Sequence, residues 1–421
     1  MTPYYGLFDL PDFCCCYCCC SCRGNRRKLL TLLVSCFAVF VVSVVSFMMQ
    51  ESQDFRPAPV IDQLGSSPSI KPSTAARDTK RWNVIILTHM SSGSTFVGNI
   101  FNLHPDVFYL YEPLNHLRRA IYGSEWNPFD DATNDEYKSD FSTLFRDVFD
   151  CGFHEDATLE RAIPPFVRRL QKFTYWRFST PEFTKKAVSN ACKAKKLTVA
   201  KVMQTRLPRN IGIQELQRVC NADPARFDCL IIHLVRDPRA VMSSLLGRKF
   251  FFKRGPERKL LTSSPLTTEG RELVKQHAEL MCSQVSNNIN YVKENWLNWF
   301  RGRYKVIRYE DIVGNALNTT DELYDFVGLS MVKSINKWIM GGEKPVGTGA
   351  STFKVSENDV ERIGHWRLKQ DPSLVFLFEE ACEPLMELTG YIFVNGSEHL
   401  QHDLSKSLLT KEIPFVKDLS L

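Results

Sequence analysis

Several things are missing from this chain of 421 residues. Its 9 histidines form no H-x-x-x-H pair, and the dense cysteine cluster near its start does not have the spacing of a zinc site, so nothing in the sequence points to a metal centre. No internal repeat is present, which removes solenoids and propellers. Strong charge is lacking too: a formal net charge of +6 permits an acidic partner without demanding one. There is one long hydrophobic run, not several. Most telling, the one stretch shaped like a phosphate cradle, Ser91-Ser92-Gly93-Ser94-Thr95, lacks the second glycine and the lysine of G-x-x-x-x-G-K-[ST]. That disfavours a phosphate-loop kinase.

What is present begins with the hydrophobic run. Leu29 to Met49 is 21 residues without a charge, preceded at once by Arg23, Arg26, Arg27 and Lys28. It is long enough to cross a bilayer, and the basic flank places the N-terminus in the cytosol. The expected organisation is a cytoplasmic tail over 1–28, a transmembrane signal anchor over 29–49, a flexible proline-rich stem over 50–80, and a lumenal domain over 81–421. A cleaved signal peptide is the rival reading; the run is long for one, and no small-residue cleavage site follows it. Seven of the 14 cysteines lie between Cys14 and Cys22, beside the anchor, where S-acylation and plain reduced thiols are both open. Cys151, Cys192, Cys220, Cys229, Cys282 and Cys382 are an even set. In a lumen they suggest one to three disulfides, or else buried free thiols, and six cysteines allow about 15 full pairings. Sequons at Asn318 and Asn395 agree with lumenal exposure.

From Arg81 onward the chain alternates short apolar strands with helices. Strands are expected at Val84–Leu87, Val107–Tyr111, Leu197–Met203, Leu230–Val235 and Tyr304–Arg308. Helices are expected at Thr95–Leu103, Arg239–Leu246, Glu272–Phe300, Asp321–Val327 and Leu374–Leu388. This is the pattern of an α/β protein, a parallel sheet flanked by helices on both faces. Ligands of such sheets bind at the carboxyl ends of the strands. The Ser91–Thr95 turn falls there: Gly93 relaxes the backbone, Ser92, Ser94 and Thr95 offer hydroxyls, and the first helical turn offers free N–H groups to an anion. An ordinary capped strand–helix turn is the plainer alternative.

The continuation of that turn, SSGSTFVGNIFNLHPDVFYLYEPLNHL, closely resembles the 5′-phosphosulfate-binding region of Golgi carbohydrate sulfotransferases, the branch that sulfates the 6-hydroxyl of galactose or N-acetylhexosamines. The match runs from Ser92 to Pro113. One departure stands out: the basic residue of that family aligns with Ser91. A second stretch, LIIHLVRDPRAVMSSLL (Leu230–Leu246), resembles the 3′-phosphate-binding region of the same family. Its arginines, Arg236 and Arg239, have the fork that grips a phosphate by two bonds. Ser243 and Ser244 add hydroxyls, Pro238 starts the helix, and Asp237 caps it or holds Arg239. Without the resemblance, "RDPR" is equally a salt-bridged turn. KVIRYEDI (305–312), HWRLKQ (365–370) and EEACEPLMELTGY (379–391) also resemble family segments. Tyr309, Trp366 and Tyr391 are otherwise core aromatics, with Trp366-Arg367 open to a place near a nucleotide.

The resemblance implies a sulfotransferase fold related to phosphate-loop nucleotide-binding proteins. It implies the donor 3′-phosphoadenylyl sulfate, bound by Ser91 through Phe96 and by Arg236, Asp237, Pro238, Arg239, Ser243 and Ser244. It also implies a glycan acceptor, no metal, and residence in the Golgi membrane through Leu29–Met49. Nucleic acid is not expected as a partner, and the oligomeric state is not indicated. A base must remove the acceptor proton. Glu112, directly after an expected strand, is the first candidate and His116 the second. Gly247–Lys259, with Arg248, Lys249, Lys253 and Arg254 among three phenylalanines, is either an acceptor grip or a solvated charged loop. Ser91 poses the difficulty. With no cation there, transfer is slowed unless His89, Lys201 or Arg206 supplies one, or unless backbone N–H groups suffice. A catalytically weak or inactive glycan- or nucleotide-binding protein of the same fold is the alternative.

Overall fold

The structure is a computed structural model. It describes residues 81–115, 117, 135–153, 185–207, 212–247, 257–263, 265–341 and 357–419. His116, the segment with Arg248, Lys249, Lys253 and Arg254, and all of residues 1–80, with the expected tail, anchor and stem, lie outside the described residues. Among the described residues no helix is long and apolar enough to cross a membrane.

Five strands form one parallel sheet in the order β2-β3-β1-β4-β5. They are β1 (Arg81–Thr88), β2 (Val107–Leu110), β3 (Leu197–Met203), β4 (Phe227–Val235) and β5 (Tyr304–Arg308). Each apolar run is a strand because both faces are buried. In β1, Ile85 and Leu87 point into one core while Val84 and Ile86 point into the other, the two-residue period of an extended chain.

The first core is closed by α2 (Asp135–Asp150), α4 (Ile213–Cys220), α6 (Thr268–Glu294) and α10 (Pro372–Thr389). The second is closed by α1 (Ser94–Asn102) and α8 (Ala316–Val327). Between them in sequence lie α3 (Lys185–Lys193), α5 (Pro238–Gly247), α7 (Tyr309–Gly314) and α9 (Glu357–Lys369). The six cysteines among the described residues pair as Cys151–Cys192, Cys220–Cys229 and Cys282–Cys382. The last ties α6 to α10 across 100 residues.

Topology fixes where a ligand goes. After β1 the chain runs toward β2 and β3 on one side, and after β4 it runs toward β5 on the other. The connections therefore part between β1 and β4, at the carboxyl ends of two adjacent strands. That is the switch point at which open α/β sheets bind ligands. The segments leaving β1 and β4 carry the two anion motifs.

Candidate active site

β1 ends at Thr88, and α1 starts six residues later. Between them Ser91 takes φ 63° and Gly93 φ 80°. Glycine accepts this left-handed backbone readily. It is required for a second reason: a Cβ at Gly93 would fall 2.0 Å from Cδ2 of Tyr309. No acidic residue stands in the first turn of α1, and no side chain caps it. Its leading N–H groups are thus open to an anion.

The second motif leaves β4 at Arg236. One guanidinium nitrogen of Arg236, Nη1, donates to the Ser91 carbonyl at 2.8 Å, and the Ser244 hydroxyl donates to that of Ser91 at 3.3 Å. Tyr309, the first residue after β5, lies between the motifs: its ring contacts Gly93 and sits 4.8 Å from the Arg236 guanidinium. Three strand ends therefore converge on one place.

They open onto a cavity of about 770 Å³, ample for a nucleotide-sized ligand. Ser91, Gly93, Ser94, Thr95 and Phe96 form one wall, and Arg236, Ser243 and Ser244 another. Tyr309, the α9 residues His365, Trp366 and Lys369, and Gln370 just past α9 add to the lining, with Ala240, Leu246 and Gly247 of α5. Ser92 is buried beneath the turn. His365, Lys369 and Gln370 were not singled out from the sequence. The spacing of His365 and Lys369, one helical turn apart, puts them on one face and was the available signal. Arg367 turns away and donates to the carbonyls of Leu400, Gln401, Asp403 and Lys406.

Arg239 and Asp237 stand behind the cavity wall and do not line it. Arg239 is fully buried. It donates Nε and Nη2 to the two Asp237 oxygens at 3.0 and 2.8 Å, and Nη1 to Glu379 at 2.6 Å and to the Ile392 carbonyl at 2.9 Å. Asp237 Oδ1 also accepts the Arg239 backbone N–H, so it caps α5 and holds the arginine at once. The guanidinium lies 4.4 Å from the Trp366 ring, a cation–π contact that backs the cavity wall. Beside it, Glu310 accepts the Asp237 N–H at 3.1 Å and the Tyr391 hydroxyl at 2.9 Å. Burial, with Asp237 nearby, holds the Glu310 carboxyl above the usual carboxylate range. Tyr391 is thus both a core aromatic and a strut for the motif.

Glu112 sits two residues past the end of β2, with φ 49° and only 8% exposure. Burial alone would raise its pKa. Lys201, 3.2 Å away, and Arg206, at 3.8 Å, outweigh that and bring it below the usual range. Glu112 is therefore an ionised carboxylate at neutral pH, and it does not line the cavity. Lys201 is itself buried and packs over the Tyr111 ring at 4.1 Å.

This corrects two expectations about the cation missing at Ser91. Lys201 and Arg206 are engaged by Glu112 rather than by the turn. His89 is buried and its pKa is pushed down to about 4 by desolvation, so it stays neutral at mildly acidic pH. Asn318 and Asn395 are exposed at the surface, the first in α8 and the second in a turn. No cluster of three or more metal-ligating side chains occurs among the described residues.

The fold and cavity define an α/β protein with a nucleotide-sized cavity, lined by hydroxyls and a guanidinium, at the carboxyl edge of its sheet. A family model described as "Sulfotransferase family" matches residues 83–333, spanning all five strands. Carbohydrate sulfotransferase 3 of Mus musculus is 26% identical over 78% of this chain and 74% of its own length. Carbohydrate sulfotransferase 1 is 27% identical in Danio rerio, over 80% of this chain and 84% of the relative, and 23% identical in Homo sapiens, over 89% and 95%. The chain belongs to the sulfotransferase family, and its enzyme class is that of a sulfotransferase.

Proposed function

We propose that the protein transfers a sulfuryl group from 3′-phosphoadenylyl sulfate to a hydroxyl of a galactose or N-acetylhexosamine residue, the 6-hydroxyl by resemblance, in glycans of glycoproteins or proteoglycans. The observation that carries this reading is the single cavity shared by both anion motifs. A donor with phosphates at both ends of an adenosine needs two cradles in one space, and the turn after β1 and the segment after β4 line the same 770 Å³. The residues fit such a group: hydroxyls and open N–H groups at one wall, a guanidinium with two serines at another, and the Tyr309 and Trp366 rings between.

Bound there, the donor supplies an activated sulfuryl group. The acceptor oxygen forms a bond to sulfur, the bond from sulfur to the 5′-phosphate oxygen breaks, and adenosine 3′,5′-bisphosphate leaves. Ser94, Thr95 and the N-terminus of α1 hold the 5′ end. Arg236, Ser243 and Ser244 hold the 3′-phosphate. Glu112 takes the acceptor proton: it is ionised, and Lys201 and Arg206, which hold it beside the donor cavity, also lower its basicity, so the acceptor hydroxyl must reach it from outside that cavity. Positioning and electrostatic stabilisation supply most of the rate, by analogy with phosphoryl transfer. The same reading puts the chain in the Golgi membrane through Leu29–Met49, with the catalytic domain lumenal and the acceptor contacted by Gly247–Lys259.

Ser91 favours a second reading, a donor- or glycan-binding protein with little or no transfer. One assay separates the two. Purified protein receives sulfate-labelled donor and a panel of oligosaccharides. Label transfer that is lost in Glu112→Gln supports the enzyme. Donor binding with no transfer to any acceptor supports the second reading.

A further inference from the structure

Sulfuryl transfer leaves extra negative charge on the 5′-phosphate, and a cation at the cradle steadies it. From Ser91 to Phe96 the cradle has hydroxyls and backbone N–H groups and no charged side chain. We propose that Arg236, from the second motif, supplies that charge: one guanidinium serves both ends of the nucleotide. This rests on the donor reading given above.

Four observations converge. Arg236 Nη1 is 2.8 Å from the backbone carbonyl of Ser91 itself, so the guanidinium lies at the very residue where the cradle lacks a cation. The left-handed backbone of Ser91, φ 63°, belongs to the turn that presents this carbonyl. The Tyr309 ring braces the arrangement, touching Gly93 of the first motif and lying 4.8 Å from the guanidinium of the second. Arg236 also faces the cavity, alongside Ser94 and Thr95 on one side and Ser243 and Ser244 on the other.

Among the described residues, the other cations considered for this role are placed differently. Lys201 and Arg206 pair with Glu112. Lys369 and His365 line the cavity from α9, which packs on α5 and α7 and so approaches from the side of the second motif. An arginine suits the double task. Its planar fork carries five N–H donors, so one guanidinium can engage more than one acceptor.

The test is calorimetric binding of three probes to the wild-type protein, Arg236→Ala and Arg236→Lys: adenosine 3′,5′-bisphosphate, adenosine 5′-monophosphate and adenosine 3′-monophosphate. Thermal melts check that each variant is folded. The proposal expects Arg236→Ala to weaken the 5′-monophosphate at least tenfold, as it weakens the bisphosphate. It expects Arg236→Lys, which keeps the charge, to recover part of the 5′-monophosphate affinity. A 5′-monophosphate affinity unchanged by Arg236→Ala, with loss confined to probes carrying a 3′-phosphate, overturns it; so does a lysine variant no better than alanine. If wild-type protein binds none of the three, the donor reading itself fails and takes this inference with it. That result is distinct from a change in selectivity.

Discussion

Replacing Glu379 by alanine is expected to unravel the support of the nucleotide cavity without touching the cavity itself. Glu379 is 2% exposed. One of its oxygens accepts from Arg239 at 2.6 Å and from the Val394 N–H at 2.7 Å; the other accepts from the Asn395 N–H at 2.9 Å. Alanine leaves a wholly buried guanidinium with Asp237 as its one remaining carboxylate partner, and two backbone donors without their acceptor. Breaking a buried charge pair from one side costs about 3–5 kcal/mol, and an unsatisfied buried donor about 1–3 kcal/mol. These terms overlap, because Asp237 still neutralises Arg239 and water can enter the vacated space. A net loss of about 4 kcal/mol is expected, and about 2 kcal/mol for Glu379→Gln, which keeps an acceptor but not the charge. Urea denaturation followed by circular dichroism reads both. The variants have a functional consequence too: Arg239 backs Trp366, so adenosine 3′,5′-bisphosphate should bind Glu379→Gln several-fold more weakly. A loss below about 1 kcal/mol in the alanine variant would refute the reasoning, since it would mean that the buried guanidinium does not depend on this carboxylate.

Gly93→Ala should cost about 1–2 kcal/mol from its left-handed backbone alone, and should cut nucleotide affinity more than tenfold because the Tyr309 ring, which lines the cavity, must shift off residue 93; urea denaturation checks the first and binding calorimetry on the folded variant the second. Stability should fall as pH drops from about 6.5 toward 4. His89 and His233 are buried, with pKa pushed down by desolvation to about 4 and about 3. The unfolded chain therefore binds protons in that window and the native one does not, at about 1.4 kcal/mol per pH unit for each histidine. Their full contribution is present above 6.5. Urea midpoints that stay flat between pH 6.5 and 5 would contradict this. Glu112→Ala should destabilise by about 3 kcal/mol by leaving buried Lys201 without its carboxylate, whereas Glu112→Gln should stay folded and lose transfer.

The strands were the most legible part of the fold. Leu197–Met203 and Tyr304–Arg308 have the expected bounds, and the other three differ by a few residues at their ends. Short apolar runs buried on both faces leave little room for another reading. Helices were less legible where their apolar stripe is thin: α9 carries Asn, Asp, Glu, Arg and Lys through most of its length and was not expected, although it lines the cavity. The expected helix at Glu272–Phe300 starts at Thr268 and ends at Glu294, followed by a wider turn of helix over Trp296–Phe300.

Both anion motifs could be read locally because each lies within one strand–turn–helix unit. What joins them could not. The contacts from Arg236 to Ser91, from Arg239 to Glu379 and from Lys201 to Glu112 link residues about 90 to 150 positions apart. Only the sheet order sets such pairs. The reading of Arg239 as a phosphate ligand shows the limit of local inference. In sequence it is equivalent to Arg236, but it lies three residues later, in the first turn of α5, and points into the core, where two carboxylates hold it. Disulfide partners were beyond reach for the same reason, since six cysteines leave every pairing open until the helices are packed.

The central claim is that one nucleotide spans both motifs. Titration of the wild-type protein with adenosine 3′,5′-bisphosphate, adenosine 5′-monophosphate and adenosine 3′-monophosphate tests it most directly. The account predicts one bisphosphate per chain, at least tenfold tighter than either monophosphate. Equal affinity for the bisphosphate and one of the monophosphates, or two independent sites per chain, would contradict it.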